Sequence, residues 1–124
     1  GQADIIIAFE NLEAYRWLPY LKKGGSMYVN DQQIMPMPVV LGQAEYPAKA
    51  KEAMAASAEK LVHFDALAIA EAAGSSKAVN VVLLGAASKD MPFTDDEWMK
   101  VIEEYVKPKF VELNKAAFRQ GKEA

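Results

Sequence analysis

Side chains able to do chemistry are sparse in this sequence, and they do not fall into a catalytic spacing. His63 is the single histidine. It stands at the end of a strand candidate, beside Asp65, where an imidazole could move a proton. There is no second histidine, no cysteine and no paired-carboxylate motif to build a metal site around it. The reading favoured for His63 is packing and hydrogen bonding at a sheet edge. No serine lies in G-x-S-x-G, so a nucleophile elbow is absent. Neither G-x-G-x-x-G nor G-x-x-x-x-G-K-[ST] occurs, which removes both phosphate-cradling glycine loops. Gly74-Ser75-Ser76-Lys77 reads as a helix stop and polar turn rather than a phosphate loop. Asp95-Asp96-Glu97 reads as acidic residues answering a helix dipole, not as a cation site.

Two features point to contacts rather than catalysis. Asn80 is a polar amide in an otherwise apolar helix, and leaving it unsatisfied would cost on the order of 1–3 kcal/mol. It either ties the helix to a neighbouring loop or faces a partner or ligand. Tyr15, Arg16, Trp17 and Tyr20 crowd one helix with more large rings than a single core can take. Such residues are enriched among interface anchors.

These residues need elements to hold them. Ile5 to Phe9 is a short β-branched run suited to a strand covered on both faces, as in a parallel sheet. Asn11 is placed to cap a helix from Leu12 toward Leu18, with a kink at Pro19 and a stop at Gly24-Gly25. Ser26 to Asn30 is a second strand candidate. Residues 31–47, with Pro36, Pro38, Gly42 and Pro47, read as a loop with a short edge strand at Val39 to Leu41. A helix follows from Ala48 to Lys60, with Ala50, Met54 and Ala58 on one face. Leu61 to Phe64 is a third strand candidate, after which Asp65 caps a helix closed by Gly74. Val79 to Ala87 reads as a buried helix. Thr94-x-x-Glu97 forms a capping box before the stripe Trp98, Val101, Ile102, Tyr105 and Val106. Pro108 opens a last helix bearing Phe110, Leu113, Ala117 and Phe118, with Gly121 as its stop. The alternation predicts an α/β fold: a small, mostly parallel sheet flanked by helices, with a C-terminal helical segment, in one domain over residues 1–124.

Composition narrows the function classes. The 124 residues carry a formal net charge of -3, with basic residues rising no higher than pairs such as Lys22-Lys23. That leaves no electrostatic footprint for nucleic acid or anionic lipid. The longest apolar stretch, Val81 to Ala87, is far too short to span a bilayer. The absence of cysteine fits a reducing compartment and excludes iron–sulfur ligation by this chain's own thiolates. The first residue is not Met, and an apolar run follows almost at once, so the chain reads as a fragment of a larger subunit.

Several segments together resemble a known family. Ala3-Asp4-Ile5-Ile6-Ile7-Ala8-Phe9-Glu10-Asn11-Leu12-Glu13-Ala14-Tyr15-Arg16 resembles the "aDlllaFEplEAlR" segment of indolepyruvate:ferredoxin oxidoreductase beta subunits. Leu18-Pro19-Tyr20-Leu21-Lys22-Lys23-Gly24-Gly25, Val29-Asn30, Asp65-Ala66, Ala70-Glu71, Asn80 to Ala86 and Asn114-x-x-Ala117-Phe118-x-x-Gly121 extend the resemblance over nearly the whole chain. Outside the first stretch the pattern is shared with gamma subunits of other 2-oxoacid:ferredoxin oxidoreductases. The resemblance implies a cytoplasmic enzyme of anaerobic metabolism that oxidises aryl-2-oxoacids to acyl-CoA and passes electrons to ferredoxin. It also implies that thiamine diphosphate and iron–sulfur clusters reside on a larger alpha subunit, with coenzyme A used by the complex. This chain would then be a non-catalytic subunit domain holding no cofactor or metal, inactive alone, and reaching ferredoxin through the complex.

The sequence departs from the family in lacking its G-x-G-G-Q-G turn, so any ligand role of that turn is not carried over. The missing strands would leave a sheet edge unprotected, and the piece is expected to associate with itself or a partner. Two alternatives stand beside this one. One is a gamma domain of a pyruvate or 2-oxoglutarate enzyme; the other is a free-standing small-molecule-binding α/β protein.

Overall fold

In the computed structural model of the chain, residues 2–32 and 50–124 are described, the side chains of Ala50 and Lys51 excepted. The chain divides into two compact units, Gly1–Phe64 and Asp65–Ala124. The edge strand expected at Val39 to Leu41 lies outside the described residues.

Among the described residues, the first unit is built on a parallel sheet of three strands in the order β1 (Ala3–Ala8), β2 (Leu21–Asn30) and β3 (Lys60–Phe64). The helices α1 (Asn11–Trp17) and α2 (Ala50–Ser57) accompany it there, with a 3₁₀ turn at Leu18–Tyr20. The register pairs Ile6 with Met27 and Ala8 with Val29, then Met27 with Leu61 and Val29 with His63. Alternation along each strand therefore gathers Ile6, Ala8, Met27, Val29, Leu61 and His63 on one face. There the core forms, with Ala14 of α1 and Met54 of α2 closing over the strands. Met27, Val29 and Met54 are fully buried, each contributing roughly 1.5–3 kcal/mol relative to exposure. Ala58, just past the end of α2, packs on the same cluster, as its spacing from Met54 predicts.

Two local expectations are corrected. Gly24-Gly25 does not end an element; it lies inside β2, where the pairing jumps from Ala3–Leu21 to Ile5–Ser26. The extra residues bulge outward, and Gly24 takes the left-handed φ of 84° that lets the strand resume. The cap of α1 is Glu10 rather than Asn11. The Glu10 carboxylate accepts the N–H groups of Leu12 and Glu13, while Glu13 Oε1 accepts the Phe9 N–H at 3.2 Å.

The second unit is helical: α3 (Ala66–Ala73), α4 (Val79–Ser88), α5 (Asp95–Tyr105) and α6 (Val111–Lys122), with 3₁₀ turns at Ser76–Ala78 and Pro108–Phe110. The last helix touches each of the other three. Asp65 caps α3 by accepting the Ala68 N–H, and Gly74 closes it. The capping box of α5 is present in full: Thr94 Oγ1 accepts the Glu97 N–H, and Glu97 Oε1 accepts the Thr94 N–H. The stripe that follows is only half inward. Ile102 is buried and Trp98 and Val106 are half-buried, but Val101 is exposed and Tyr105 is 83% exposed. Trp98 packs instead edge-on against Phe93 and tilted against Phe118, at centroid distances of 5.6 and 5.4 Å.

Gly121 is not a helix stop. It sits buried within α6, against α4. A Cβ on Gly121 would lie 2.0 Å from the Val82 carbonyl oxygen, and one on Gly85 would lie 2.1 Å from that of Phe118. The two helices therefore cross backbone to backbone. Alanine at an ordinary helical glycine stabilises by up to about 1 kcal/mol. Here Gly85→Ala or Gly121→Ala is expected to destabilise by about 1–3 kcal/mol or more, read as a lower urea midpoint. A midpoint that rises would contradict the crossing.

The Glu97 carboxyl is held below the ordinary glutamate value, chiefly by the Thr94 backbone N–H and then by its hydroxyl. A lowered folded value means that the stabilisation is present above the unfolded value and fades as pH falls through the folded one. Thr94→Ala is thus expected to lower the urea midpoint near neutrality, with the deficit narrowing in acid. Carboxyl NMR should show the Glu97 titration moving upward.

Candidate functional site

The carboxyl ends of parallel strands are where open α/β sheets place their sites, and a polar cluster occupies that edge here. It draws on the end of each strand in the first unit. Asn11 begins α1 just after β1, Asn30 and Asp31 end and follow β2, and His63 is the fourth residue of β3. The side chain of Asn30 donates to the Phe9 carbonyl at 3.1 Å, joining the ends of β2 and β1. The Asp31 N–H donates to the Phe64 carbonyl at 2.7 Å, joining β2 to β3, and the Asn11 N–H donates to the Gln32 carbonyl at 2.8 Å.

The Asn11 side chain sits at the centre of this arrangement. Its Nδ2 lies 3.1 Å from Asp31 Oδ1, and its Oδ1 lies 2.6 Å from His63 Nε2. His63 Nε2 is also 3.4 Å from Asp31 Oδ1. An ionised carboxylate only accepts, so the Asn11 amide must turn its N–H toward Asp31 and its oxygen toward His63. The imidazole then has to carry a proton on Nε2 to satisfy that oxygen. The His63 side chain is only 16% exposed. Its geometry holds strand ends in register.

Tyr15, Arg16 and Trp17 lie together on the last turns of α1, all exposed, and Tyr20 follows on the 3₁₀ turn. Leu12 and Ala14 take the buried positions of that helix, leaving the rings outward. The Trp17 and Tyr20 rings meet at 5.1 Å. Asn80 belongs to the second unit and stands exposed at the second residue of α4, so no desolvation cost compels it to a partner there. Asn11, Asn30 and Asp31 were not singled out from the sequence as a group. The signal that could have found them is polar residues closing consecutive apolar strands, at Glu10-Asn11, Asn30-Asp31 and His63.

Of the cofactors implied by the resemblance, the iron–sulfur clusters do not fit this chain's donors. Iron–sulfur clusters need thiolates, and the chain has no cysteine. Among the described residues, no group of three or more His, Asp or Glu is placed to hold a metal ion, and no helix is long and apolar enough to cross a membrane.

The geometry predicts the tautomer directly. Neutral His63 is expected in the Nε2–H form, visible as a protonated Nε2 and an unprotonated Nδ1 in long-range proton–nitrogen spectra. Asn11→Ala should remove that preference and destabilise the fold by about 1–3 kcal/mol in urea unfolding. Detection of the Nδ1–H form in the native chain would contradict the assigned amide orientation.

Known proteins resemble this chain along its full length. Residues 1–124 match the family described as pyruvate ferredoxin/flavodoxin oxidoreductase. The chain is 37% identical to indolepyruvate oxidoreductase subunit IorB of Thermococcus kodakarensis, over all of this chain and 64% of that protein. It is 38% identical to the protein of the same name from Pyrococcus horikoshii, with the same coverage. Among solved structures it is similar to the gamma subunit of a keto/oxoacid ferredoxin oxidoreductase from Geobacter sulfurreducens. That match has a TM-score of 0.71 and 24% identity, over 99% of this chain and 64% of that one. This last likeness is one of fold. The chain thus spans just under two thirds of the length of these relatives.

Proposed function

The chain belongs to the pyruvate ferredoxin/flavodoxin oxidoreductase family, and from that premise we propose that it is a non-catalytic part of an indolepyruvate:ferredoxin oxidoreductase subunit. The observation that carries this reading is the 37–38% identity, over the whole chain, to two proteins named indolepyruvate oxidoreductase subunit IorB. In the complex, an aryl-2-oxoacid and coenzyme A give an acyl-CoA and carbon dioxide, and two electrons pass to ferredoxin. The thiamine diphosphate and iron–sulfur clusters that such chemistry uses are assigned to the larger alpha subunit. This chain's own residues supply a scaffold: a sheet whose polar edge is fixed by Asn11, Asp31 and His63, and an outward aromatic helix turn. The compartment of such a complex is the cytoplasm.

A second reading keeps the fold and changes the substrate to pyruvate or 2-oxoglutarate. The gamma-subunit likeness is compatible with it. The Phe9-Glu10, Glu13-Ala14 and Arg16 segment favours the aryl substrate.

The test is co-expression with the larger subunit. A stable complex that reduces ferredoxin with indolepyruvate in preference to pyruvate, beside an inactive isolated chain, is the expected result. Turnover by the isolated chain, or a preference for pyruvate or 2-oxoglutarate, would overturn the assignment.

A further inference from the structure

We propose that the outer face of α1 and its following turn is a docking surface, and that Arg16 receives a carboxylate side chain of the partner subunit. The inference rests on the subunit reading above and adds where and by what chemistry the contact is made.

Arg16 lines an open depression of about 480 Å³ with Tyr15, Leu18, Pro19, Ala53 and Ser57. Its lining combines the apolar Leu18, Pro19 and Ala53 with a guanidinium, a phenol and a hydroxyl. Among the described residues the Arg16 side chain has no hydrogen bond and no ion pair, whereas Lys22, Lys115 and Lys122 each meet a carboxylate. A guanidinium presents five N–H donors in a fixed fork that matches a carboxylate in two places. One exposed arginine is ordinary. An unpaired one beside an apolar hollow, flanked by three outward aromatic rings, is the composition of an interface anchor. Tyr15, Trp17 and Tyr20 are 39%, 50% and 57% exposed.

The extent of the patch argues for a protein rather than a small molecule. Small ligands bury most of their surface in one enclosing pocket. Here the aromatic pair carries the surface onward to a second hollow of about 350 Å³, which Trp17 and Tyr20 line together with Glu13 and the β1 residues Ala3, Ile6 and Ile7. A macromolecular surface can cover both hollows at once. Charge complementarity fixes the chemistry of its contact: an Asp or Glu entering over Leu18 and Pro19, its carboxylate on Arg16.

The chain has two arginines, Arg16 and Arg119, one in each unit, which gives an internal control. With the purified larger subunit as probe, Arg16→Glu is expected to weaken binding at least thirtyfold and Trp17→Ala about tenfold or more. Tyr105→Ala, an exposed aromatic on the second unit, should leave affinity unchanged. Phenylglyoxal followed by mass spectrometry should label both arginines in the free chain. In the complex it should spare Arg16 and still label Arg119. Native affinity in Arg16→Glu, or equal labelling of Arg16 with and without the partner, would overturn the proposal while leaving the subunit reading intact. Protection of Arg16 by millimolar benzoate alone would also overturn it, in favour of a small-anion pocket. If the native chain does not bind the larger subunit, the subunit reading falls and this one falls with it.

Discussion

A single amide, that of Asn11, connects the parts of the first unit that its strands cannot connect by themselves. Parallel strands run their chain ends out at one edge, and each end brings backbone and side-chain groups that the ladder no longer satisfies. Asn11 answers three of them at once, with its N–H on Gln32, its amide nitrogen on Asp31 and its amide oxygen on His63. Asn11 is buried, as is Asn30, and the His63 side chain is nearly so, while Asp31 keeps one side to solvent; a buried amide left without these bonds would be costly. The sheet face beneath them is apolar up to His63 at its edge. Register there depends on alternation of side chains, and a slip by one residue would turn His63 to the opposite face.

The second unit meets its packing requirement differently. It has no sheet to organise it, and α6 makes contact with every other helix of the unit. Where it meets α4, side chains are absent at the closest points, and the chains touch through Gly85 and Gly121. Phe118, one turn away, is buried and takes its place against Trp98. Charged residues tie α5 to α6 on the outside, through Lys115 with Glu103 and Lys122 with Asp95. Lys122 and Asp95 form a solvent-facing pair of the kind that adds little to stability, whereas the Lys115 side chain is mostly covered. In each unit the polar groups described above hold neighbouring elements in place.

Much of the architecture was legible because it depends on local rules. The β-branched run at Ile5 to Ile7, the strand ending at Asn30, the capping box at Thr94 and the cap at Asp65 each follow from a few adjacent residues. What was misread depends on distant ones. Glycine marks a stop in an isolated sequence, yet Gly24-Gly25 serves a bulge and Gly121 serves an approach between helices 30 or more residues apart in sequence. Asn11 looked like a cap because its neighbours looked like a helix start; that Glu10 takes this duty, freeing Asn11 for His63 on β3, is set by the third dimension. The spacing on α5 marks an apolar stripe, but which of its residues meet a neighbour is set by packing, and Val101 and Tyr105 are exposed. The candidate site was the least legible part. Its members are ordinary polar residues, scattered over fifty positions, and only the parallel topology brings them to one edge.

The glycine crossing between α4 and α6 has a consequence in entropy. Packing two helices through long side chains freezes rotamers, each at a cost that rises with the length of the chain. A contact made by backbone freezes none. The two glycines instead surrender backbone freedom, roughly 0.5–1 kcal/mol apiece relative to alanine. What results is a junction without adjustable parts, since no side chain there can rotate to take up slack. Its motions are therefore expected to be of one kind, closed or parted, with no graded loosening in between.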